Sequence, residues 1–238
     1  MTDIARNESL GHSYNQACER LRNALKDAGR AQDAAKLLAV SKTKPAAMIR
    51  QVWQLGQREF GENYLQEALE KQAELADLDD IVWHFIGPLQ SNKSRSVAEH
   101  FDWVHSIDRL KIAKRLSEQR PTRLAPLNIC LQVNISREAS KAGVLPEELQ
   151  ALAKEVATLP NLRLRGLMAI PAPTEGLDAQ RQPLAALREA LTTLQSSLPG
   201  ATLDTLSMGM SDDLEAAVLE GATLVRLGTA IFGARPSA

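Results

Sequence analysis

Two lysines stand at the end of the first apolar stretch of this 238-residue chain. The stretch reads LLAVSKTKP over residues 37–45, so Lys42 and Lys44 follow four aliphatic residues and precede a proline. Because strand side chains alternate between faces, Lys42 shares the face of Leu38 and Val40. Lys44 continues that face if the chain stays extended, which a following proline favours.

A lysine in such a position is a candidate nucleophile. Partial burial and a second cation nearby both disfavour the ammonium form and lower the pKa from about 10.4. The neutral amine can then attack an aldehyde to form a Schiff base. The alternative is that both lysines are solvated loop residues.

A second candidate site lies in TLSMGMSDDLEAAVLEGA, where Gly209 and Ser211 separate a predicted strand from a predicted helix. The free N–H groups and the dipole at a helix start attract phosphate. Alternatively, Ser211 is simply the N-cap residue of the helix, with Asp212 and Asp213 complementing the dipole. Those two acids would repel an anion unless they point away.

The third candidate is Arg226, which interrupts the apolar run LVRLGTAIFG. An arginine inside a strand needs a partner, which could be a ligand or a carboxylate such as Glu62. Gly228 and Thr229 follow, and a bare backbone with a hydroxyl could approach phosphate oxygens there.

The elements that would position these residues alternate between short β-like runs and longer helical patterns. The eight predicted strands span residues 37–42, 58–63, 82–87, 103–108, 128–134, 163–170, 204–209 and 224–233. Such alternation predicts an α/β protein, a closed (β/α)8 TIM barrel, because each parallel strand needs a crossover helix. An open doubly wound sheet is the alternative, but it requires a glycine-rich loop after its first strand, and SKTKP has no glycine.

The chain is expected to form one domain over residues 1–238, with an additional N-terminal helix at about 3–30 and the barrel at about 37–233. Gly11 is a point where that helix could break. TIM barrels often bind phosphate near strands seven and eight. A lysine that binds an aldehyde, together with a phosphate site, describes a site for pyridoxal 5'-phosphate (PLP).

Composition excludes several classes of protein. Lys and Arg number 28 against 29 Asp and Glu, which argues against nucleic-acid binding. Cys18 and Cys130 form no disulfide or metal motif, which fits a reducing compartment. The N-terminus lacks a signal-peptide pattern and no apolar run approaches the roughly 20 residues of a membrane helix. We therefore expect a cytoplasmic, soluble protein without a metal site.

The sequence also resembles the pyridoxal phosphate homeostasis family of the YggS/PROSC type. The similarity covers residues 37–233 and is carried by AVSKTKP, FGENYLQE, WHFIGPLQSNK, SIDR, NICLQVNIS, GLMAIP and LSMGMSDDLEAAVLEGATLVRLGTAIFG. It implies a barrel similar to the N-terminal domain of alanine racemase, with PLP held as an internal aldimine.

The resemblance implies a role for each of several residues. Lys42 would be the Schiff-base lysine and Arg226 would face the pyridine nitrogen. The phosphate would be held by Ser207, Ser211, Gly228 and Thr229, and Asn63 and Met208 would lie near the ring. Lys44 and Lys141 are candidate secondary amines for receiving or passing on the cofactor.

We expect a PLP carrier involved in vitamin B6 homeostasis that delivers PLP to apo-enzymes, and not an enzyme. Arginine at the pyridine nitrogen makes the ring a poor electron sink, and a racemase would need a second base besides Lys42. The alternative is a PLP-dependent amino-acid racemase or decarboxylase, with Tyr64, His84 or His105 as that base. A third hypothesis is a barrel that binds macromolecules. A monomer is the expected state.

Overall fold

The computed structural model describes residues 2–139 and 142–234. Eight strands form a closed barrel in which each strand pairs in parallel with the next along the chain, and β8 closes on β1 through the register Leu38 to Arg226. The strands are β1 Lys36–Val40, β2 Glu59–Glu62, β3 Val82–Phe85, β4 Trp103–Ile107, β5 Leu127–Gln132, β6 Leu162–Met168, β7 Thr205–Ser207 and β8 Leu224–Leu227. The predicted (β/α)8 barrel is confirmed.

Helices follow every strand and surround the sheet. They are α1 Asp3–Asp27, α2 Ala46–Gln54, α3 Leu65–Glu74, α4 Ser94–His100, α5 Leu110–Gln119, α6 Pro146–Val156, α7 Leu177–Ser197, α8 Leu214–Leu219 and α9 Thr229–Phe232, with a 3-10 turn at Ser91–Lys93. None of the helices in the described part of the chain is long and apolar enough to cross a membrane.

The hydrophobic core lies mainly between the sheet and these helices. In α2, for example, Ile49 and Val52 are three residues apart and are both fully buried, as the helical period requires. A second, smaller cluster consists of Trp103, Cys130 and Met168.

Three sequence-based boundaries need correction. The predicted N-terminal helix exists as α1, and it runs through Gly11 without a break. Strand β8 ends at Leu227 and not at residue 233, because the chain turns into α9 after Gly228. Strand β1 ends at Val40, so Lys42 lies in the turn that follows the strand and not in the strand itself.

Candidate functional site

A cavity of about 380 Å³ opens at the carboxyl ends of the strands. Its lining residues are Val40, Lys42, Asn63, Ile86, Ile170, Met210, Ser211, Asp212, Arg226, Gly228 and Thr229. A larger groove of about 660 Å³ lies outside the barrel between α1, α2 and α9. We assign the site to the smaller cavity, because in this fold the loops after the strands carry the functional groups.

The cavity brings together most of the residues that the sequence singled out. Lys42, Asn63, Ser211, Arg226, Gly228 and Thr229 all line it. Ser207 and Met208 do not. Ser207 is fully buried inside the barrel, and the Met208 side chain is fully buried in the core between sheet and helices. Direct contact of these two residues with a ligand stays a prediction.

The turn that carries Lys42 is fixed to α3 by a buried lysine. Lys71 Nζ donates to the carbonyl oxygen of Ser41 at 2.7 Å and to Glu62 Oε1 at 2.7 Å. It also pairs with Glu67 Oε1 at 2.7 Å, and Glu67 accepts the backbone N–H of Thr43. The turn is therefore held on both sides of Lys42, whose own side chain is half-buried.

Glu62 is the carboxylate at the centre of this arrangement. It is fully buried, and its Oε1 also accepts from the hydroxyl of Ser41 at 3.1 Å. Burial raises the pKa of the Glu62 carboxyl above its ordinary value, although the Lys71 charge opposes the shift. Since Glu62 is paired with Lys71, the alternative in which Glu62 is the partner of Arg226 is wrong.

Lys44 does not continue the inward-facing row of β1. Thr43 adopts a left-handed backbone with φ of 66°, so the chain turns instead of remaining extended. The Lys44 amine then donates to the carbonyl oxygen of Ala234 at 2.8 Å. Lys141, the other candidate secondary amine, lies outside the described residues.

Asn63 lines the cavity and holds a buried side-chain acceptor without a partner among the described residues. Its Oδ1 atom is buried and accepts no hydrogen bond from any described residue. The loop after β3 packs tightly against it, because a Cβ at Gly87 would lie 2.2 Å from the Asn63 carbonyl oxygen. A buried acceptor of this kind is suited to a donor on a ligand.

Arg226, on β8 beside β1, also lines the cavity and is 6% exposed. Its Nη2 donates to the carbonyl oxygen of Ala169 at 3.0 Å, and its Nη1 donates to Ser207 Oγ at 3.4 Å. No carboxylate of the described residues pairs with it, although Asp213 acts on it at longer range. Burial lowers the pKa of Arg226 to about 10, so the guanidinium remains charged at neutral pH.

The loop after β7 differs from the N-cap interpretation of the sequence. Helix α8 begins at Leu214, with Asp213 at the N-cap position, so Ser211 is not its cap. The Asp213 carboxylate folds back to accept the N–H of Met210 at 2.7 Å and is thereby directed at its own loop, whereas Asp212 lines the cavity. The carbonyl oxygen of Ser211 accepts from Arg20 Nη2 at 2.6 Å, which anchors the loop to α1.

Gly228 lies where β8 passes close to β1. A Cβ there would lie 3.3 Å from the Val40 carbonyl oxygen, tighter than ordinary contact. Its bare backbone therefore leaves the rim of the cavity open beside Thr229. Gly228 precedes α9 and Thr229 begins it. The first N–H groups of a helix have no partner within the helix.

Sequence reasoning missed several residues of this site. Ile170, Met210 and Asp212 lie in motifs that were noticed, but their spacing did not show which side chains face the cavity. Lys71 had a local signal, since Glu67 and Lys71 are spaced i, i+4 on one helix face. Its contact with the Ser41 carbonyl depends on tertiary structure. The described residues contain no cluster of His, Cys, Asp or Glu able to hold a metal ion.

Comparison with known proteins gives the class of the barrel first. The family model of the alanine racemase N-terminal domain matches residues 17–236. The alanine racemase from Corynebacterium glutamicum superposes with a TM-score of 0.69 at 18% identity, covering 97% of this chain and 62% of the racemase. At that identity the likeness concerns the fold alone.

More similar relatives narrow the class. The pyridoxal phosphate homeostasis protein of Pseudomonas aeruginosa is 63% identical over 95% of this chain and 96% of its own length. The protein of that name in Escherichia coli K12 is 52% identical over 99% and 98%. PipY of Synechococcus elongatus, solved with PLP bound, is 41% identical with a TM-score of 0.79, over 90% of this chain and all of that one. This chain belongs to the pyridoxal phosphate homeostasis protein family.

Proposed function

We propose that this protein binds PLP at the barrel mouth and serves in PLP homeostasis as a carrier and not as an enzyme. One observation carries the proposal: Lys42 and Arg226 line the same cavity. Arg226 is buried and has no carboxylate partner among the described residues. PLP has been found in the structure of the relative PipY. The cavity volume of about 380 Å³ falls in the range of small-molecule sites.

The donor and acceptor groups of the cavity fit PLP. PLP supplies an aldehyde that reacts reversibly with amines and a ring that can accept electrons from a bound amino acid. Lys42 offers the amine, and its covalent attachment to the aldehyde carbon would release one water. Asn63 Oδ1 offers an acceptor to a ligand donor, while Ser211, Gly228 and Thr229 offer hydroxyl and N–H donors for phosphate.

Arg226 sets the electronic character of the site. A guanidinium donates hydrogen bonds and accepts none, so it can bond an unprotonated ring nitrogen but cannot stabilise a protonated one. Its two polar contacts, Ala169 O and Ser207 Oγ, are neutral acceptors that leave its charge in place. The ring would consequently be a weak electron sink, which suits binding better than carbanion chemistry.

The lining of the cavity supports a non-catalytic role. A racemase needs two bases on opposite faces of the substrate carbon, and Lys42 would be one of them. Among the described lining residues Asp212 is the one carboxylate, and neither histidine nor tyrosine is present. Tyr64 lies at the start of α3 with 48% of its surface exposed, and His84 and His105 are fully buried inside the barrel.

We also propose that the protein delivers its bound PLP to apo-enzymes. Lys42 is half-buried in a turn at the open end of the barrel, where the amine of another protein could displace it from the aldehyde. Lys44 is engaged with Ala234, so we assign it no part in the first attachment. The cytoplasmic location, the monomeric state and the organisation as one domain stay predictions.

The test is titration of the ligand-free protein with PLP, followed by absorbance and by retention through desalting. Lys42→Ala should abolish retention and the visible band of the bound form, because the attachment site is lost. Lys44→Ala removes an equivalent amine two residues away and should bind as the parent protein does. Equal retention by both variants would refute the assignment of Lys42.

Catalysis is tested separately with the PLP-loaded protein. Incubation with a panel of L-amino acids should yield no more D-isomer or amine than the same concentration of free PLP produces. Sustained turnover would establish the racemase or decarboxylase alternative and overturn the carrier role, and its loss in Asp212→Asn would identify Asp212 as the second base.

A further inference from the structure

Arg226 is one end of a line of polar side chains that crosses the barrel interior. Ser207 Oγ lies 2.8 Å from His105 Nδ1, and His105 Nε2 lies 2.8 Å from His84 Nδ1. His84 Nε2 in turn lies 3.0 Å from Glu59 Oε1. The line therefore joins the cavity to the beginning of β2, at the opposite end of the barrel.

The line passes through the barrel and not along its wall. His105 is on β4 and Ser207 is on β7, and these strands are not neighbours in the sheet. Their hydrogen bond must therefore cross the interior. Both histidines and Ser207 are fully buried, and His84 stacks on Trp103 with ring centroids 5.3 Å apart.

Counting donors and acceptors gives the line one direction. A guanidinium only donates, so Arg226 donates to Ser207 Oγ, and the single serine hydrogen is left for His105 Nδ1. A carboxylate only accepts, so Glu59 takes its hydrogen bond from His84 Nε2. Neutral rings satisfy every contact only if His105 Nε2–H donates to His84 Nδ1.

The charged groups at the two ends support this direction. Burial raises the pKa of Glu59, but the hydrogen bond from His84 and the nearby Lys36 outweigh it, and the net pKa is lowered. Glu59 is thus a carboxylate, with Lys36 Nζ 3.5 Å from its other oxygen. Nearer the cavity, burial together with the charge of Arg226 holds the pKa of His105 well below its ordinary value, so this ring is neutral.

We propose that Ser207, His105, His84 and Glu59 are positioning residues for Arg226, forming a one-way hydrogen-bond chain that holds the guanidinium toward the cavity. Both histidines are neutral Nε2–H tautomers in this chain. The four residues do not line the cavity, so they act through Arg226. Their effect on the PLP ring rests on the proposed function, whereas the hydrogen-bond chain is present in the protein without ligand.

The first experiment therefore uses the ligand-free protein labelled with ¹⁵N-histidine. The protein has four histidines in all, so long-range ¹H–¹⁵N correlation spectra are assigned readily with His12→Gln and His100→Gln variants. We expect both buried rings to show a protonated Nε2 and an unprotonated Nδ1. A protonated Nδ1 on either ring, including a doubly protonated His84 beside Glu59, would overturn the one-way chain.

The second experiment removes the link between the histidines and Arg226. Ser207→Ala should move the His105 Nδ1 signal downfield, because that nitrogen loses its donor, and should shift the absorbance band of bound PLP. Ser207→Thr keeps the hydroxyl and should restore both signals. Ser117→Ala is the matched control, because Ser117 is an equally buried serine whose hydroxyl donates to Pro160 O away from the chain.

These readouts separate the two proposals. If the tautomers are as expected but neither the parent protein nor any variant binds PLP, the proposed function fails and the hydrogen-bond chain is upheld. If PLP binds but Ser207→Ala leaves both the His105 signal and the PLP band unchanged, the positioning role fails and the proposed function stands.

Discussion

The two flanks of the barrel mouth each contain a buried cation, and the two are partnered in opposite ways. On the β2–α3 flank Lys71 contacts two carboxylates, Glu62 and Glu67. On the β7–β8 flank Arg226 contacts a carbonyl oxygen and a hydroxyl. Both cations are almost inaccessible, at 5% and 6% exposure.

We interpret Lys71 as a structural cation and Arg226 as the cation of the proposed ligand site. The charge of Lys71 is neutralised inside the protein, and its geometric effect is to hold the turn that presents Lys42. The charge of Arg226 is not neutralised by its direct partners and faces the cavity. A buried cation without a counter-ion is costly, and an anionic ligand with a ring-nitrogen acceptor would offset that cost.

The largest expected effect comes from removing each cation in turn. Lys71→Met should lower the free energy of unfolding by about 3–5 kcal/mol, because it leaves Glu62 buried and unpaired. Arg226→Met should cost less than about 2 kcal/mol, because it removes a desolvated charge and leaves only neutral acceptors behind. Urea unfolding of the ligand-free variants measures both values.

The double variant Lys71→Met with Glu62→Gln is the control for this contrast. It removes the unpaired carboxylate and should recover a large part of the stability lost in Lys71→Met. Equal losses for Lys71→Met and Arg226→Met would show that the two cations are partnered alike and would break the comparison.

A smaller effect is expected in the pH dependence of stability. His105 stays neutral in the folded protein, while in the unfolded chain it takes up a proton below its ordinary pKa of 6.5. The unfolded state then binds more protons, so stability falls as the pH falls from about 7 to about 5, by at most about 1.4 kcal/mol per unit. His105→Gln should flatten this slope.

The comparison for that slope is His100→Gln, which alters an exposed histidine on α4 bonded to Ser96 O. It should keep the parent slope in urea unfolding at each pH. If His105→Gln also keeps it, His105 is not held neutral beside Arg226, and the Arg226 flank is less positive than the account requires.

The smallest effect concerns the rim of the Arg226 flank. Gly228→Ala would bring a methyl group 3.3 Å from the Val40 carbonyl oxygen and narrow the rim. We expect PLP affinity to fall by less than about tenfold, or about 1.4 kcal/mol. Gly200→Ala, at a glycine with nothing within 4 Å of the added Cβ, should leave affinity unchanged in the same titration. Tighter binding by Gly228→Ala would contradict the role of the bare backbone.

The sequence predicted the barrel and the two cations that line the cavity, Lys42 and Arg226, for identifiable reasons. The eight apolar runs had strand length and alternated with helical patterns, and Lys42 and Arg226 were conspicuous as cations beside such runs. His84 and His105 were candidates for a second catalytic base, and the structure places both fully buried inside the barrel.

Other features depended on contacts that one-dimensional patterns do not contain. The departure of Lys44 from the site comes from the left-handed backbone of Thr43, and the pairing of Glu62 with Lys71 comes from the packing of α3 on β2. The histidine line required knowing which strands face each other across the barrel. The family resemblance implied that Ser207 holds phosphate, whereas the hydrogen bonds of its hydroxyl with Arg226 and His105 are visible only in the structure.

The central claim is that the amine of residue 42 takes up the aldehyde of PLP. The most direct test is borohydride reduction of the PLP-loaded protein, followed by fragment-ion sequencing that separates Lys42 from Lys44 within one peptide. The account predicts a pyridoxyl group on Lys42 as the main adduct. A main adduct on Lys44, Lys71 or another lysine, or no adduct after stoichiometric loading, would contradict it.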